Sequence, residues 1–281
     1  MIMDWIGRTQ TTTGMLSAQV AGMVSATLDM QPVLRPSGAP IDPLWHWCAF
    51  PQLEPTGALG ADGHAPRGGF LPPVALPRRM WAGGSVTFHA DIHVDEPLTR
   101  VSRIASVAQK QGRAGPMVFV AVTHDISGRD GLAVTERHDI VYLDIPDRFQ
   151  LPPAIAVPVD PVAEDRVEMS VPLLFRYSAA TFNTHRIHYD LDHVRNVEGY
   201  PGLVVHGPLQ ATLMMRLACR VAGRAPRQFD YRGVSPVFHD TALRILAFQR
   251  DGDGLSLCTA VGDQRQAMQA QARWDDPGPE T

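Results

Sequence analysis

The chain has 281 residues, 44% apolar and 19% charged, with a formal net charge of −4, which describes a globular protein with room for one large fold or two modest ones and gives no footing for a polyanionic partner such as nucleic acid. Cys48, Cys219 and Cys258 are odd in number, widely spaced and without a Cys-x-x-Cys pair, so neither a disulfide framework nor a thiolate zinc site is expected, and a reducing cytoplasm fits best. No stretch approaches the ~20 apolar residues of a membrane span, and Asp4 and Arg8 interrupt any signal-like core, so a soluble protein with no membrane contact is expected.

In chain order, Thr11-Thr12-Thr13 offers N-cap hydroxyls ahead of an Ala-, Leu-, Met- and Val-rich segment from Met15 to Leu28, which reads as an amphipathic helix. From Pro32 to Arg79 the chain is dense in Pro and Gly and reads as loop, with Leu44-Trp45-His46-Trp47 as a short element. Long ordered loops of this kind often line sites. Arg78-Arg79-Met80-Trp81-Ala82-Gly83-Gly84 joins cations, an aromatic and a flexible turn, suited either to the phosphates or adenine of a CoA-type carrier or to a plain solvated loop.

Strand-like runs follow at Ser85 to Val94, Leu98 to Lys110, Pro116 to Asp125 and, after the turn signal Gly128-Arg129-Asp130-Gly131, Leu132 to Tyr142. The Pro-rich stretch 148–161 reads as a linker, dividing the chain into units 1–147 and 162–281. Beyond it lie Phe175 to Thr181, a histidine-rich segment, a helix from about Pro208 to Val221, and strands near Phe229–Val234, Ala242–Arg250, Leu255–Val261 and Gln266–Trp274. Helix followed by antiparallel strands, twice, is an α+β pattern. The halves show no clean sequence repeat.

Four features bear on chemistry. Gly207-Pro208 opens a predicted helix, where free N–H groups and the positive dipole end could stabilise a thioester oxygen that becomes enolate-like; a plain turn is the competing reading. His188 titrates in the range of a general acid/base, and Asn183, five residues earlier, could share a water with it or merely cap a helix. His185 and His188 form His-x-x-His, with His193 and His206 nearby, but no zincin Glu or third ligand has diagnostic spacing, so no metal is expected. Arg186 could pair with a substrate carboxylate or CoA phosphates, or sit in an exposed ion pair. A P-loop and a Gly-x-Ser-x-Gly elbow are both missing.

Phe175-Arg176-Tyr177-Ser178, the run from Thr181 to Asp190, Gly199-Tyr200-Pro201-Gly202 and Val205-His206-Gly207-Pro208, with Phe70 to Pro73 and Leu76 to Trp81, resemble the MaoC-like hydratases. The closest likeness is to the type 2 hydroxyacyl-thioester dehydratase branch, which includes itaconyl-CoA and mesaconyl-C4-CoA hydratases. That resemblance implies a double hotdog, two curved antiparallel sheets each wrapped around a central helix, assembled as a homodimer. It implies an acyl-CoA substrate, CoA as carrier, and no metal or redox cofactor.

In the broader family the motif runs Ser-Gly-Asp-x-Asn-Pro-x-His, and aligning the final histidine with His188 puts Asn183 where the catalytic Asp stands. An amide orients water but does not exchange a proton as a carboxylate does. The resemblance therefore implies His188 as acid/base, Asn183 as orienter and Gly207 as oxyanion donor. Arg186, His185, His206, Arg78, Arg79 and Trp81 are its expected substrate-binding residues, and the α-proton comes from His188 or from a further residue such as Asp190. The expected activity is reversible hydration of an α,β-unsaturated acyl thioester, a C5 dicarboxylyl-CoA giving citramalyl-CoA. A carrier-linked 3-hydroxyacyl substrate, a hotdog thioesterase and a non-catalytic acyl-CoA-binding module are the alternatives. The thioesterase is disfavoured because residues 207–220 contain no Asp or Glu.

Overall fold

Residues 2–31, 34–112, 115–250, 252 and 254–274 are described by a computed structural model of the chain. Ten strands form one antiparallel sheet: β1 (Thr9–Gly14), β2 (Arg78–Phe88), β3 (Leu98–Gly112), β4 (Gly115–Gly128), β5 (Gly131–Leu143), β6 (Ala163–Glu168), β7 (Gln228–Gly233), β8 (Ala242–Gln249), β9 (Gly254–Val261) and β10 (Arg265–Arg273). Their order is β1-β3-β4-β5-β2-β7-β10-β9-β8-β6. The first five strands and the last five thus repeat one topology, and the halves join edge to edge through β2 and β7.

That seam explains a sequence feature read as a flexible turn. Gly83 and Gly84 lie inside β2, paired with Arg232 and Tyr231 of β7. A Cβ on Gly83 would fall 2.5 Å from the Tyr231 carbonyl, and one on Gly84 2.1 Å from the Arg137 carbonyl. Glycine is there because two backbones approach too closely for a side chain.

Of the four helices, α1 (Ala18–Thr27) packs on α2 (Val171–Thr181), α3 (Leu191–Asn196) is short, and α4 (Gly207–Ala222) lies along the C-terminal half of the sheet against β8, β9 and β10. The expected cap for α1 was misplaced. Thr11–Thr13 belong to β1, and Ser17 caps the helix by accepting the Val20 N–H, which makes the helix shorter than the apolar run. The main core is a continuous cluster in which Leu16, Ala21 and Val24 meet Val86, Leu174, Leu209, Met214 and Phe229, and smaller clusters lie around Ile104, Val120 and Tyr142 and around Leu246, Cys258 and Ala260. β6 went unread because its Ala-Glu-Asp-Arg-Val-Glu run has little apolar pattern. The Pro-rich stretch 148–161 contains no helix or strand. It lies against β10, where Gln266 donates to the carbonyls of Ile155 and Ala156.

Candidate active site

Helix α2 starts at Ser170, whose hydroxyl accepts the Leu173 N–H, and ends at Phe182 in the left-handed region (φ 52°). A non-glycine residue held there costs about 1–3 kcal/mol, a strain that clusters at functional positions. The chain then reverses: Asn183 Oδ1 accepts the His185 N–H at 3.0 Å, opening a single 3-10 turn, Arg186–His188.

His188 is buried, and its Nδ1 donates to the Val204 carbonyl at 2.7 Å. This bond fixes the tautomer and leaves Nε2 with a free lone pair. Burial pushes its pKa down to about 4, against the raising effect of the Val204 hydrogen bond, so the imidazole is neutral at pH 7. Its ring stacks on that of His206, with centroids 3.6 Å apart. His206 is fully buried, bonded through Nε2 to Ser178 Oγ at 2.8 Å, and burial drives its pKa well below the ordinary value. It backs His188 and has no exposed surface to offer a substrate.

His206 is also the last residue before α4. That helix begins at Gly207 with no side-chain cap, so its first N–H groups have no intrahelical acceptor and carry the positive end of the dipole. A Cβ on Gly207 would lie 2.8 Å from Trp81 Cε3. Trp81, stacked on Tyr231 at 4.6 Å, therefore walls the helix start from the N-terminal half.

A loop from that half completes the group. His64 packs on His185, with ring centroids 4.0 Å apart, and His185 meets His188 edge-on at 5.5 Å. His64 Nδ1 lies 3.0 Å from Asp62 Oδ2. Burial alone would raise the Asp62 carboxyl, but the hydrogen bond and charge of His64 hold it below the usual carboxylate range. Burial lowers His64 and His185, and the positive charge of Arg79 pushes both further down.

The match to the hydroxyacyl-thioester dehydratase type 2 family spans residues 44–239, the stretch that holds every group just described. The chain belongs to that family. It is 40% identical over 271 residues to the mesaconyl-C(4)-CoA hydratase of Chloroflexus aurantiacus, covering 95% of this chain and 96% of that protein. It is 24% identical to the mitochondrial type 2 hydroxyacyl-thioester dehydratase of Schizosaccharomyces pombe, covering 73% and 77%. Among solved structures, a MaoC-like dehydratase from Phytophthora capsici superposes over the whole of both chains with TM-score 0.74 at 12% identity. A Mycobacterium tuberculosis protein described as a double hotdog fold superposes over 95% of both with TM-score 0.59 at 14% identity. The fold is a double hotdog and the chemistry that of a hydro-lyase on acyl thioesters, as the motifs imply.

Several expected substrate contacts are engaged elsewhere. Arg78 is buried, donating through Nε to Glu198 Oε2 at 3.0 Å and through Nη2 to the Glu198 carbonyl, with Tyr200 under its guanidinium. It ties β2 to the turn after α3. Arg186 is half-exposed but holds Asp190 Oδ2 at 2.7 Å and the Ala61 carbonyl at 3.0 Å. Asp190 has its other oxygen on the His193 N–H, capping α3. These hydrogen bonds hold its pKa low, so it is an ionised carboxylate and poorly suited to give up a proton. Trp81 lies against the start of α4, and the charge of Arg79 reaches His64 and His185.

Asp62 and His64 were not singled out in the sequence. The available signal was a histidine in a long Pro- and Gly-rich loop. A second buried cluster was also missed: Glu136 accepts from Trp47 Nε1 at 2.9 Å and faces His46 Nε2 at 3.1 Å and His138 Nε2 at 3.3 Å. His138 lies 5.9 Å, ring to ring, from Trp81, so this polar floor sits behind the tryptophan wall. A groove of about 940 Å³ on the sheet includes Arg137, Asp139 and Arg232 but not His188. Arg137 and Asp139 alternate with Glu136 and His138 along β5 and so point to its opposite side.

Proposed function

We propose that the protein adds water reversibly to a C5 dicarboxylyl-CoA, mesaconyl-C4-CoA or itaconyl-CoA, giving citramalyl-CoA. The observation that carries the chemistry is a neutral His188, fixed by Val204 with Nε2 free, one stacked ring away from the uncapped start of α4. The dicarboxylyl acyl rests on the 40% identity to the Chloroflexus hydratase.

In the hydration direction His188 Nε2 takes a proton from water as the oxygen attacks the β-carbon. The electrons move to the thioester oxygen, where the Gly207 N–H and the helix dipole stabilise the enolate-like charge, an arrangement that contributes through preorganised donors. Asn183 orients the water through its side-chain amide. Arg79, whose charge is felt by His64 and His185, supplies positive charge for the second carboxylate, since Arg186 is held by Asp190 and the Ala61 carbonyl. CoA is the carrier, no metal or redox cofactor takes part, and the protein works as a cytoplasmic homodimer.

The test is a panel of itaconyl-CoA, mesaconyl-C4-CoA, crotonyl-CoA and a long 2-enoyl-CoA. Gain of one water on the C5 esters, read by mass and by loss of enoyl absorbance, is expected. Preference for the long chain would assign the enzyme to fatty-acyl metabolism, and free CoA without hydration would make it a thioesterase. His188→Ala is expected to lower kcat by about 10²–10⁴-fold.

A further inference from the structure

Hydration moves two protons, one off water and one onto the α-carbon, and the groups around His188 leave the second without a donor. Asn183 is an amide whose oxygen is taken by the His185 N–H, and both oxygens of Asp190 are engaged. The carboxylate at this site comes instead from the N-terminal half.

The loop carrying it is fastened to the His188 segment through its backbone carbonyls, by one backbone and two side-chain donors. The Arg186 N–H donates to the Asp62 carbonyl at 2.9 Å, Arg186 Nη1 to the Ala61 carbonyl at 3.0 Å, and Thr184 Oγ1 to the Gly63 carbonyl. Gly63 has φ +87°, and a Cβ there would fall 2.0 Å from the Thr184 carbonyl oxygen, so only glycine permits this docking. Within the loop Asp62 grips His64 twice, Oδ1 accepting its N–H at 3.0 Å and Oδ2 lying 3.0 Å from Nδ1. With Nδ1–H committed to the carboxylate, Nε2 is the nitrogen left for chemistry.

We propose that His64, oriented by Asp62, is the second acid/base group of the reaction and exchanges the proton of the α-carbon, while His188 handles the water. This rests on the hydratase reading. The cycle balances with one proton on the pair. Neutral His188 and protonated His64 meet water and the enoyl thioester; the C–O bond forms as His188 Nε2 takes the water proton. The enolate then takes the His64 Nε2 proton at the α-carbon, leaving His188 protonated and His64 neutral, and a proton passes back through solvent. Asp62 stabilises the imidazolium form that hydration needs, while burial, Arg79 and Arg67 oppose it and leave the His64 pKa below its ordinary value; His185, packed at a tilt on its ring, and His188 are its other ionisable neighbours.

The same three side chains, Asp62, His64 and His185, bring ligand atoms within 4.8 Å of one another. A metal is the weaker reading, because imidazoles bound to one ion radiate from it, whereas these rings pack against one another with centroids 4.0 Å apart at a tilt of 42°.

The experiment uses the full-length enzyme and whichever thioester the wild type hydrates, in D₂O, reading turnover and deuterium at the α-carbon by mass. His64→Gln should lose about 10²–10⁴-fold in kcat and in α-exchange, with KM and Tm close to wild type. Asp62→Asn, a positioning variant, should move the alkaline limb of the hydration profile to lower pH. A His64→Gln enzyme within threefold of wild type in both rates, or an Asp62→Asn limb that does not move, would overturn the assignment. So would activity abolished by EDTA and restored by zinc. If His64→Gln does not fold, Asp62→Asn decides alone. A wild type that hydrates none of the panel sinks the hydratase reading and this one with it, whereas a His64→Gln enzyme that hydrates normally sinks only this one.

Discussion

Lowering the pH from 7.5 to 5.5 is expected to leave the initial-rate kcat/KM for hydration undiminished. An ordinary imidazole, with a pKa near 6.5, is roughly nine-tenths protonated at pH 5.5 and would be a spent base. His188, pushed down to about 4 by burial, remains almost wholly neutral there. The shift from 6.5 to about 4 is worth about 3 kcal/mol in favour of the uncharged ring, at ~1.4 kcal/mol per pKa unit. The same shift acts on stability. The unfolded chain binds a proton that native His188 refuses, so this contribution is complete above about pH 6.5 and is lost progressively as the pH falls towards 4. His185 and His206 are shifted in the same direction and add to the loss. The assay is therefore a pH jump: enzyme held at pH 7.5 is diluted into buffers from pH 4.5 to 8, initial rates are taken, and Tm is recorded at each pH. Tm should fall below about pH 6.5 while the initial rate holds. An acid limb in the initial rates with its inflection between pH 6 and 7 would refute the reasoning, because it would mean that the base is an unperturbed histidine.

Two substitutions probe the walls of the site. Gly207→Ala places a methyl 2.8 Å from Trp81 Cε3; overpacking of this kind costs about 1–3 kcal/mol, visible in Tm, and displacing the oxyanion donor should cost about 10²–10³-fold in kcat. A normal kcat with a lowered Tm would leave Gly207 a packing role only. Glu198→Ala strands Arg78, since both side chains are only 6% exposed, and breaking such a pair costs about 3–5 kcal/mol. Chemical denaturation should record that loss, and an Arg78→Met, Glu198→Leu double variant should recover much of it.

Much of this was legible in the sequence because it depends on local pattern. The strands from Leu98 onward, β6 excepted, and α4 have periodicity and turn residues that fix them within a few positions, and Asn183 and His188 share one short motif with Gly207 in a second one close behind. What escaped depends on contacts between distant segments. Asp62 and His64 sit more than 120 positions before the backbone they dock on, and nothing in Gly-Ala-Asp-Gly-His announces that Gly63 is there to clear the Thr184 carbonyl. Gly83 and Gly84 have the composition of a turn and are a seam, since the reason for glycine lies in Tyr231 and Arg137. Arg78 and Arg186 are cations beside a predicted anion site, yet their partners Glu198, Asp190 and Ala61 decide their employment, and burial of Arg78 could not be read from a Pro-rich flank.

The seam has a consequence for solubility. Two separate five-stranded sheets would expose four strand edges, each a row of unpaired N–H and C=O groups able to recruit another chain. Joining β2 to β7 leaves two, β1 and β6. Each is only six residues long; β1 is Thr-Gln-Thr-Thr-Thr-Gly, and β6 carries Glu164, Asp165, Arg166 and Glu168. Short, polar or charged margins are poor templates for further pairing, so the sheet is blunted at both ends and growth by strand addition is discouraged.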